Sequence, residues 1–284
     1  MVKEKKLFTK IIALLHFHQK SGVLNRYNSL ISPAEFNIRK SNQHLKSIQQ
    51  LFAILAPHKY KGELKRFGSE GDGSYVLPNK LVGPNSYLIS GGISNNNKFE
   101  IDLAKKGVLG IQIDNSITRA PEEHKNLVFL QATMGGTDGP TEVSLEKLIS
   151  SSPARKKLIV KLDIEGSEFK AFQHISKKSL NQISCLVLEI HNLSALVDKK
   201  EILQTLNKIY ISGLSSVYLQ ANNAILDYII SGVLIPDNVE VTFVQKNQVG
   251  KPTSKDIFKI KKLAMKNNKN NAITNIDHFL FHNT

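Results

Sequence analysis

The chain has 284 residues, 41% of them hydrophobic, which suits one large α/β domain with an appendage. Its formal net charge is +14, from 38 Lys and Arg against 24 Asp and Glu. No stretch approaches the roughly 20 consecutive apolar residues of a membrane span, and no small-residue cleavage site follows the short apolar segment near the start, so neither a span nor an export signal is expected.

The single cysteine, Cys185, lies in an apolar run, which excludes an intrachain disulfide framework and fits a reducing cytoplasm. The charge is unevenly spread. Residues 1–65 hold 12 basic against 3 acidic groups and residues 246–269 hold 8 against 1, whereas residues 66–245 are almost neutral, with 18 against 19. Basic ends around a neutral core argue against a nucleic-acid groove and suit peripheral contact with an anionic membrane. The expected organisation is a basic helical extension over 1–58, a core over 59–248 and a basic segment over 249–284.

Taken in chain order, Leu7, Ile11, Leu14 and Leu15 fall at helical spacing behind a lysine cluster. They predict a basic amphipathic helix, suited to a membrane interface or to packing on the core or on a partner. The block Arg66-Phe67-Gly68-Ser69-Glu70-Gly71-Asp72-Gly73-Ser74-Tyr75-Val76 precedes the first sheet strand. It reads either as a hairpin with an Asp-Gly turn or as a flap over a ligand, with Arg66 offering a bidentate fork to a carboxylate.

From there apolar runs alternate with amphipathic stretches, the pattern of a parallel sheet with crossover helices. Strands are predicted at 86–90, 109–114, 128–132, 157–163, 185–190, 216–219 and 240–245. The stretch Ser90-Gly91-Gly92-Ile93-Ser94-Asn95-Asn96-Asn97 follows the first of these and leads into a helix carrying Glu100. Its glycines admit a ligand to the backbone, or simply make a tight turn. Asp114 ends the second strand about 20 residues on, where a nucleotide fold places a carboxylate on the ribose; a turn cap is the alternative.

Val160-Lys161-Leu162-Asp163-Ile164-Glu165-Gly166-Ser167-Glu168 sets three carboxylates around a glycine at a strand's carboxyl end. Alternation puts Asp163 and Glu165 on one side, where they repel unless a cation, donor or proton intervenes. Glu168 suits the acidic first turn of a helix. The next strand ends in Glu189-Ile190-His191, an acid and an imidazole on one face, and His191 is the candidate base. Asp163, Glu165, Glu189 and His191 together also offer oxygen and nitrogen ligands for a divalent metal such as Mg²⁺, and the spacing does not choose between the two devices. The Asn/Lys-rich stretch from Lys266 to Asn271 is expected to be a solvated loop.

The Arg66 to Val76 block, Ser90-Gly91-Gly92 with Phe99-Glu100, Lys161-Leu162-Asp163-Ile164-Glu165-Gly166 and Glu189-Ile190-His191, in this order, resemble the FkbM-type methyltransferases over about residues 60–245. The resemblance implies a class I Rossmann-like fold, a seven-stranded mostly parallel sheet with helices on both faces. It also implies S-adenosylmethionine as donor and O-methylation of a sugar, a glycan precursor or another small hydroxylated metabolite. Carried onto this chain, it assigns Gly91, Gly92 and Asp114 to the cofactor and sets Asp163 and Glu165 at the junction of cofactor and acceptor; Arg66, by its fork, Glu100 and Asp163 complete the expected cofactor set. Catalysis falls to His191, Asp163, Glu165 and Glu189, and the acceptor to Tyr75, Asn222 and Asn223. Gln220 stands where relatives are expected to carry His, which leaves His191 as the one catalytic imidazole. Two other classes remain open: an NAD-dependent oxidoreductase on the same fold class, and an RNA- or membrane-binding adaptor on a degenerate methyltransferase fold. The residues leave oligomeric state open.

Overall fold

The computed structural model describes residues 42–282 apart from 198–199, 226 and 231; the expected amphipathic helix near the N-terminus lies outside them. The described chain opens with α1 (Asn42–Leu55), β1 (Lys59–Tyr60), the hairpin β2 (Leu64–Gly68) and β3 (Ser74–Pro78), then β4 (Ser86–Gly91) and α2 (Lys98–Lys105). Next come β5 (Leu109–Ile113), β6 (Leu127–Leu130), β7 (Thr133–Gly135), β8 (Glu142–Ser144), α3 (Leu145–Ser150) and β9 (Lys157–Leu162). They are followed by α4 (Glu168–Ala171), α5 (Lys177–Gln182), β10 (Ile183–Ile190), α6 (Lys200–Ile211) and β11 (Leu214–Ala221). The small hairpin β12 (Asp227–Ile230) and β13 (Val233–Pro236) precedes β14 (Val239–Gln245), β15 (Val249–Gly250), α7 (Ser254–Lys261) and α8 (Asp277–Leu280).

Seven strands form one sheet in the order β11-β14-β10-β9-β4-β5-β6, and they are the seven expected from the apolar runs. β4, β5, β6, β9 and β10 run parallel, while β14 runs antiparallel between β10 and β11. The sheet reverses its winding between β4 and β9, and in an open α/β sheet that is where the carboxyl ends leave a crevice.

The strands read as continuous apolar runs because both faces are covered. On one face Leu158, Val160, Leu162, Leu186, Leu188 and Ile190 pack in the main core with residues of α1, α3, α5 and α6. On the other, Leu88, Ile159, Cys185 and Val187 pack under Phe99 and Leu103 of α2 and Tyr75 and Leu77 of β3. Two residues further along this second face the pattern turns polar, with Ser90, Lys161 and Glu189 all buried. Register places Ser90 beside Lys161, Lys161 beside Val187, and Glu189 beside Glu240. A polar cluster therefore forms at the carboxyl ends without interrupting the apolar core below it.

The segments that charge sets apart at both ends share this core: Leu51 and Phe52 of α1, Ile257 of α7 and Phe279 of α8 are all buried in it. Phe52 meets Phe279 edge-on, ring centroids 4.3 Å apart. The stretch from Lys266 to Asn271 is a mostly exposed loop, as expected, but it is tied down. Asn267 donates to Glu240 and Asp72, and Asn223 donates to the carbonyls of Asn268 and Asn271, so these amides strap the segment over the sheet's end. An amide carries both a donor and an acceptor, which is why an asparagine run can be tied down where a lysine run could not. No helix among the described residues is long and apolar enough to cross a membrane.

Candidate functional site

The glycine turn leaving β4 borders a cavity of about 390 Å³, lined among others by Tyr75, Gly92, Glu100, Asp114, Lys161 and Asp163. Gly92 has φ +75°, and a Cβ there would lie 1.6 Å from the Asp163 carbonyl oxygen, so only glycine fits. Its amide donates to the Ile113 carbonyl, which ties the turn to the neighbouring strand. Lys161, with 3% of its side chain exposed, donates to the Gly92 carbonyl and stands 3.5 Å from Asp163. A lysine inside the apolar run Leu158-Ile159-Val160-Lys161-Leu162 is the sequence signal for this position.

Asp114 spans the crevice from the end of β5. One oxygen accepts the amides of Ile93 and Ser94 at 2.9 and 2.8 Å, and the other accepts the Ser116 amide and hydroxyl at 2.7 and 2.6 Å. Burial opposes its charge, but these donors outweigh burial and hold its carboxyl below the usual range. Asp114 thus lines the cavity, fixes the glycine turn and caps the turn after β5. Glu100 accepts a 2.5 Å hydrogen bond from Ser90, and its complete burial raises its pKa against the pull of Lys161.

Arg66 is turned to a different use. It donates to the carbonyls of Leu263 and Ser74, to the Tyr218 hydroxyl at 2.6 Å and to Gln220 at 2.9 Å, and it pairs with Glu240 at 3.5 Å. The fork is filled by protein acceptors, it anchors the hairpin to the sheet, and Arg66 is absent from the cavity lining. The hairpin does reach the cavity through Asp72, Gly73 and Tyr75. Tyr75 packs edge-on against Phe99 and donates a 2.6 Å hydrogen bond to Asp163. Buried completely and facing the Asp163 and Glu189 charges, its phenol is pushed well above the ordinary value. This hydroxyl donates to the Asp163 carboxylate and the nearby Lys161 ammonium offsets its charge.

At the edge of the cavity the carboxylates meet one imidazole. His191 Nδ1 lies 2.9 Å from Glu168, whose same oxygen accepts the amides of Ile164 and Gly166. Glu168 is the acidic first-turn residue of α4, as expected, and at 1% exposure it is also the group that orients His191 and the Asp163–Gly166 loop. His191 Nε2 faces Glu165 at 3.6 Å and Asp163 and Glu189 at 3.8 Å each. Glu165 adopts φ +55° with 88% of its side chain exposed, so the strained backbone turns its carboxylate into solvent beside the ring. Burial alone would lower the His191 pKa, but the Glu168 hydrogen bond and the charges of Glu168, Glu189 and Asp163 raise it above the ordinary value. Burial raises the Glu189 carboxyl, aided by the Asp163 and Glu240 charges.

Asn222 donates to Glu189 at 2.7 Å and supports the cluster, whereas the side chain of Asn223 is taken up by the C-terminal segment. Gln220 likewise binds Arg66, Met265 and Asn267. A second cavity of about 480 Å³ touches the other side of His191, with Phe169, Gln173, Asn192, Gln204 and Thr205 in its wall.

No family model matches this chain, and no curated protein matches it. Among solved structures it is similar to a chain of a fibrillarin/Nop5p complex, at 9% identity and TM-score 0.35, covering 57% of this chain and 73% of that one. It is also similar to a putative hemolysin from Streptococcus thermophilus, at 12% identity and TM-score 0.33, covering 65% and 69%. The fold class rests on the sheet itself: a Rossmann-like α/β chain with the seven-stranded, mostly parallel sheet of a class I methyltransferase fold.

Proposed function

We propose that this chain is an S-adenosylmethionine-dependent O-methyltransferase of the FkbM type, acting on a hydroxyl of a sugar, glycan precursor or other small hydroxylated metabolite. The observation that supports this most is the cavity at the switch point, bounded by the Gly92 turn and the Asp114 strand end. A nucleoside needs that combination: backbone that can be approached closely, and a carboxylate across the crevice. Ile113, Ala132 and Met134 in its lining supply an apolar side for a base.

The reaction asks little covalent chemistry of the protein. The bond from sulfur to methyl breaks as the bond from acceptor oxygen to methyl forms, sulfur keeps the electron pair, and the hydroxyl loses its proton. Asp163 and Tyr75 stand where the two reactants would meet. Glu165, exposed beside the ring at 3.6 Å from Nε2, takes the proton and passes it to water. The basic ends suit holding the enzyme near an anionic membrane surface.

Calorimetric titration of the full chain with S-adenosylmethionine and with NAD tests the donor. Binding of the first alone, weakened at least tenfold by Asp114→Ala, is expected. Heat from NAD alone would transfer the fold to hydride chemistry and sink the methyl-transfer reading.

A further inference from the structure

Three carboxylate oxygens surround one imidazole nitrogen at the junction of the two cavities, and no side chain among the described residues closes the gap between them. His191 Nε2, on a side chain only 9% exposed, has no hydrogen-bond partner among the described residues; the carboxylates stand at 3.6 to 3.8 Å. Ligand atoms of Asp163, Glu189 and His191 all lie within 4.8 Å of one another. The other ring nitrogen is committed to Glu168, whose two amide bonds fix that oxygen as an acceptor, so Nδ1 carries the proton and the Nε2 lone pair is free for a ligand.

We propose that Asp163, Glu189 and His191 hold one divalent cation of the Mg²⁺ or Mn²⁺ class, with Glu168 as the positioning residue. The separations favour this over a proton. A proton on Nε2 leaves carboxylates beyond hydrogen-bond reach, whereas two metal bonds of about 2.1 Å set about 90–120° apart place their ligand atoms roughly 3.0–3.6 Å from each other. The two His191–carboxylate separations of 3.8 Å need to contract by a few tenths of an ångström to reach that range, and ligand atoms at the 4.8 Å outer limit by about 1.2 Å, within reach of side-chain rotation. Two carboxylates with one imidazole, and no thiolate within the cluster, form a predominantly hard donor set. Three protein ligands leave about three positions of an octahedron open.

The open positions give the cation its use, and this part rests on the methyl-donor reading. Asp163 lines the first cavity and His191 the second, so the cation would stand between donor and acceptor. An acceptor with two adjacent hydroxyls fills two of the open positions and becomes more acidic on binding. The polar wall of the second cavity, with Gln173, Asn192, Gln204 and Thr205 beside the ring of Phe169, suits a polyhydroxylated compound. The acceptor class inferred is therefore a vicinal diol, as in a sugar ring.

The test is Mn²⁺ binding to the chelator-stripped full chain, read by loss of the free-ion electron paramagnetic resonance signal and by broadening of the His191 imidazole resonances. Melting curves of every variant serve as a folding check. One site is expected, weakened at least tenfold in Asp163→Asn and Glu189→Gln and roughly 10- to 100-fold in Glu168→Gln. No Mn²⁺ depletion at millimolar concentration, or binding that leaves His191 unbroadened, overturns the cation site. S-adenosylmethionine is titrated into the same samples. Silence there with Mn²⁺ bound removes the donor reading and the acceptor assignment yet leaves the cation site standing, while donor binding without Mn²⁺ binding does the reverse.

Discussion

Gly91 and Gly92 are adjacent in the sequence but differ sharply in what a methyl group would meet, so their alanine variants test the geometry of the turn. At Gly92 a Cβ falls 1.6 Å from a backbone oxygen that belongs to Asp163, and the tolerable approach is about 3.0 Å, so Asp163 must retreat by some 1.4 Å. The φ of +75° adds about 1–2 kcal/mol for any L side chain. With the displaced strand end included, Gly92→Ala should cost about 3 kcal/mol or more. At about 2 °C per kcal/mol for a domain of this size, that lowers the melting temperature by about 6 °C or more. At Gly91 the contacts are Met134 Cε at 2.9 Å, Met134 Sδ at 3.1 Å and an Ile164 methyl at 3.2 Å, and an unbranched thioether swings aside cheaply. Gly91→Ala should therefore cost about 1 kcal/mol, within about 3 °C of the parent. Scanning calorimetry of both variants decides it, with S-adenosylmethionine titration as the second readout. A Gly92→Ala protein that melts with the parent, or equal losses for the two, would refute the reasoning.

Arg66→Lys should cost about 2–4 kcal/mol, because an ammonium cannot replace the fork that serves Tyr218, Gln220 and Leu263 beside the buried Glu240. Its donor affinity should be unchanged, and a tenfold loss in the folded variant would restore Arg66 to the cofactor. Tyr75→Phe removes the 2.6 Å donor to Asp163 and should lower stability by about 1–2 kcal/mol on denaturant titration; an unchanged midpoint would mean water replaces the hydroxyl without cost. Complete burial raises the Glu240 carboxyl to about 7 from 4.5, with Arg66 pulling the other way. The folded chain thus binds this proton more tightly than the unfolded chain. The stability it confers is full below about 4.5 and is lost as pH rises to about 7, at most about 3 kcal/mol. Glu240→Gln should flatten the decline in melting temperature between pH 5 and 7.5. A slope identical to the parent would show that Glu240 is not the group titrating.

Much of the architecture was written in local pattern. Both faces of the sheet are covered, so the strands appear as unbroken apolar runs, and each predicted run became a strand of the one sheet. The residues that gather at its carboxyl end were legible for the same reason: Gly92, Asp114, Asp163, Glu189 and His191 each sit where a strand stops. Less was readable where function depends on partners far along the chain. Arg66 looks like a carboxylate clamp until the fold brings Tyr218 and Gln220 to it from more than 150 residues away. Glu168 looks like an ordinary helix-turn acid until it is buried against His191.

The sequence alone determined the parallel sheet, its glycine turn and the acids at its strand ends, because period-two alternation, apolar runs and the conformational freedom of glycine are properties of neighbouring residues. Only the tertiary structure decided which of those acids share one imidazole, that Tyr75 supplies a donor to Asp163 from 88 positions away, and that the asparagine-rich segment straps the sheet. Charge and hydrogen-bond saturation at a buried group depend on everything within a few ångströms, and the chain assembles that shell from segments that local pattern cannot relate.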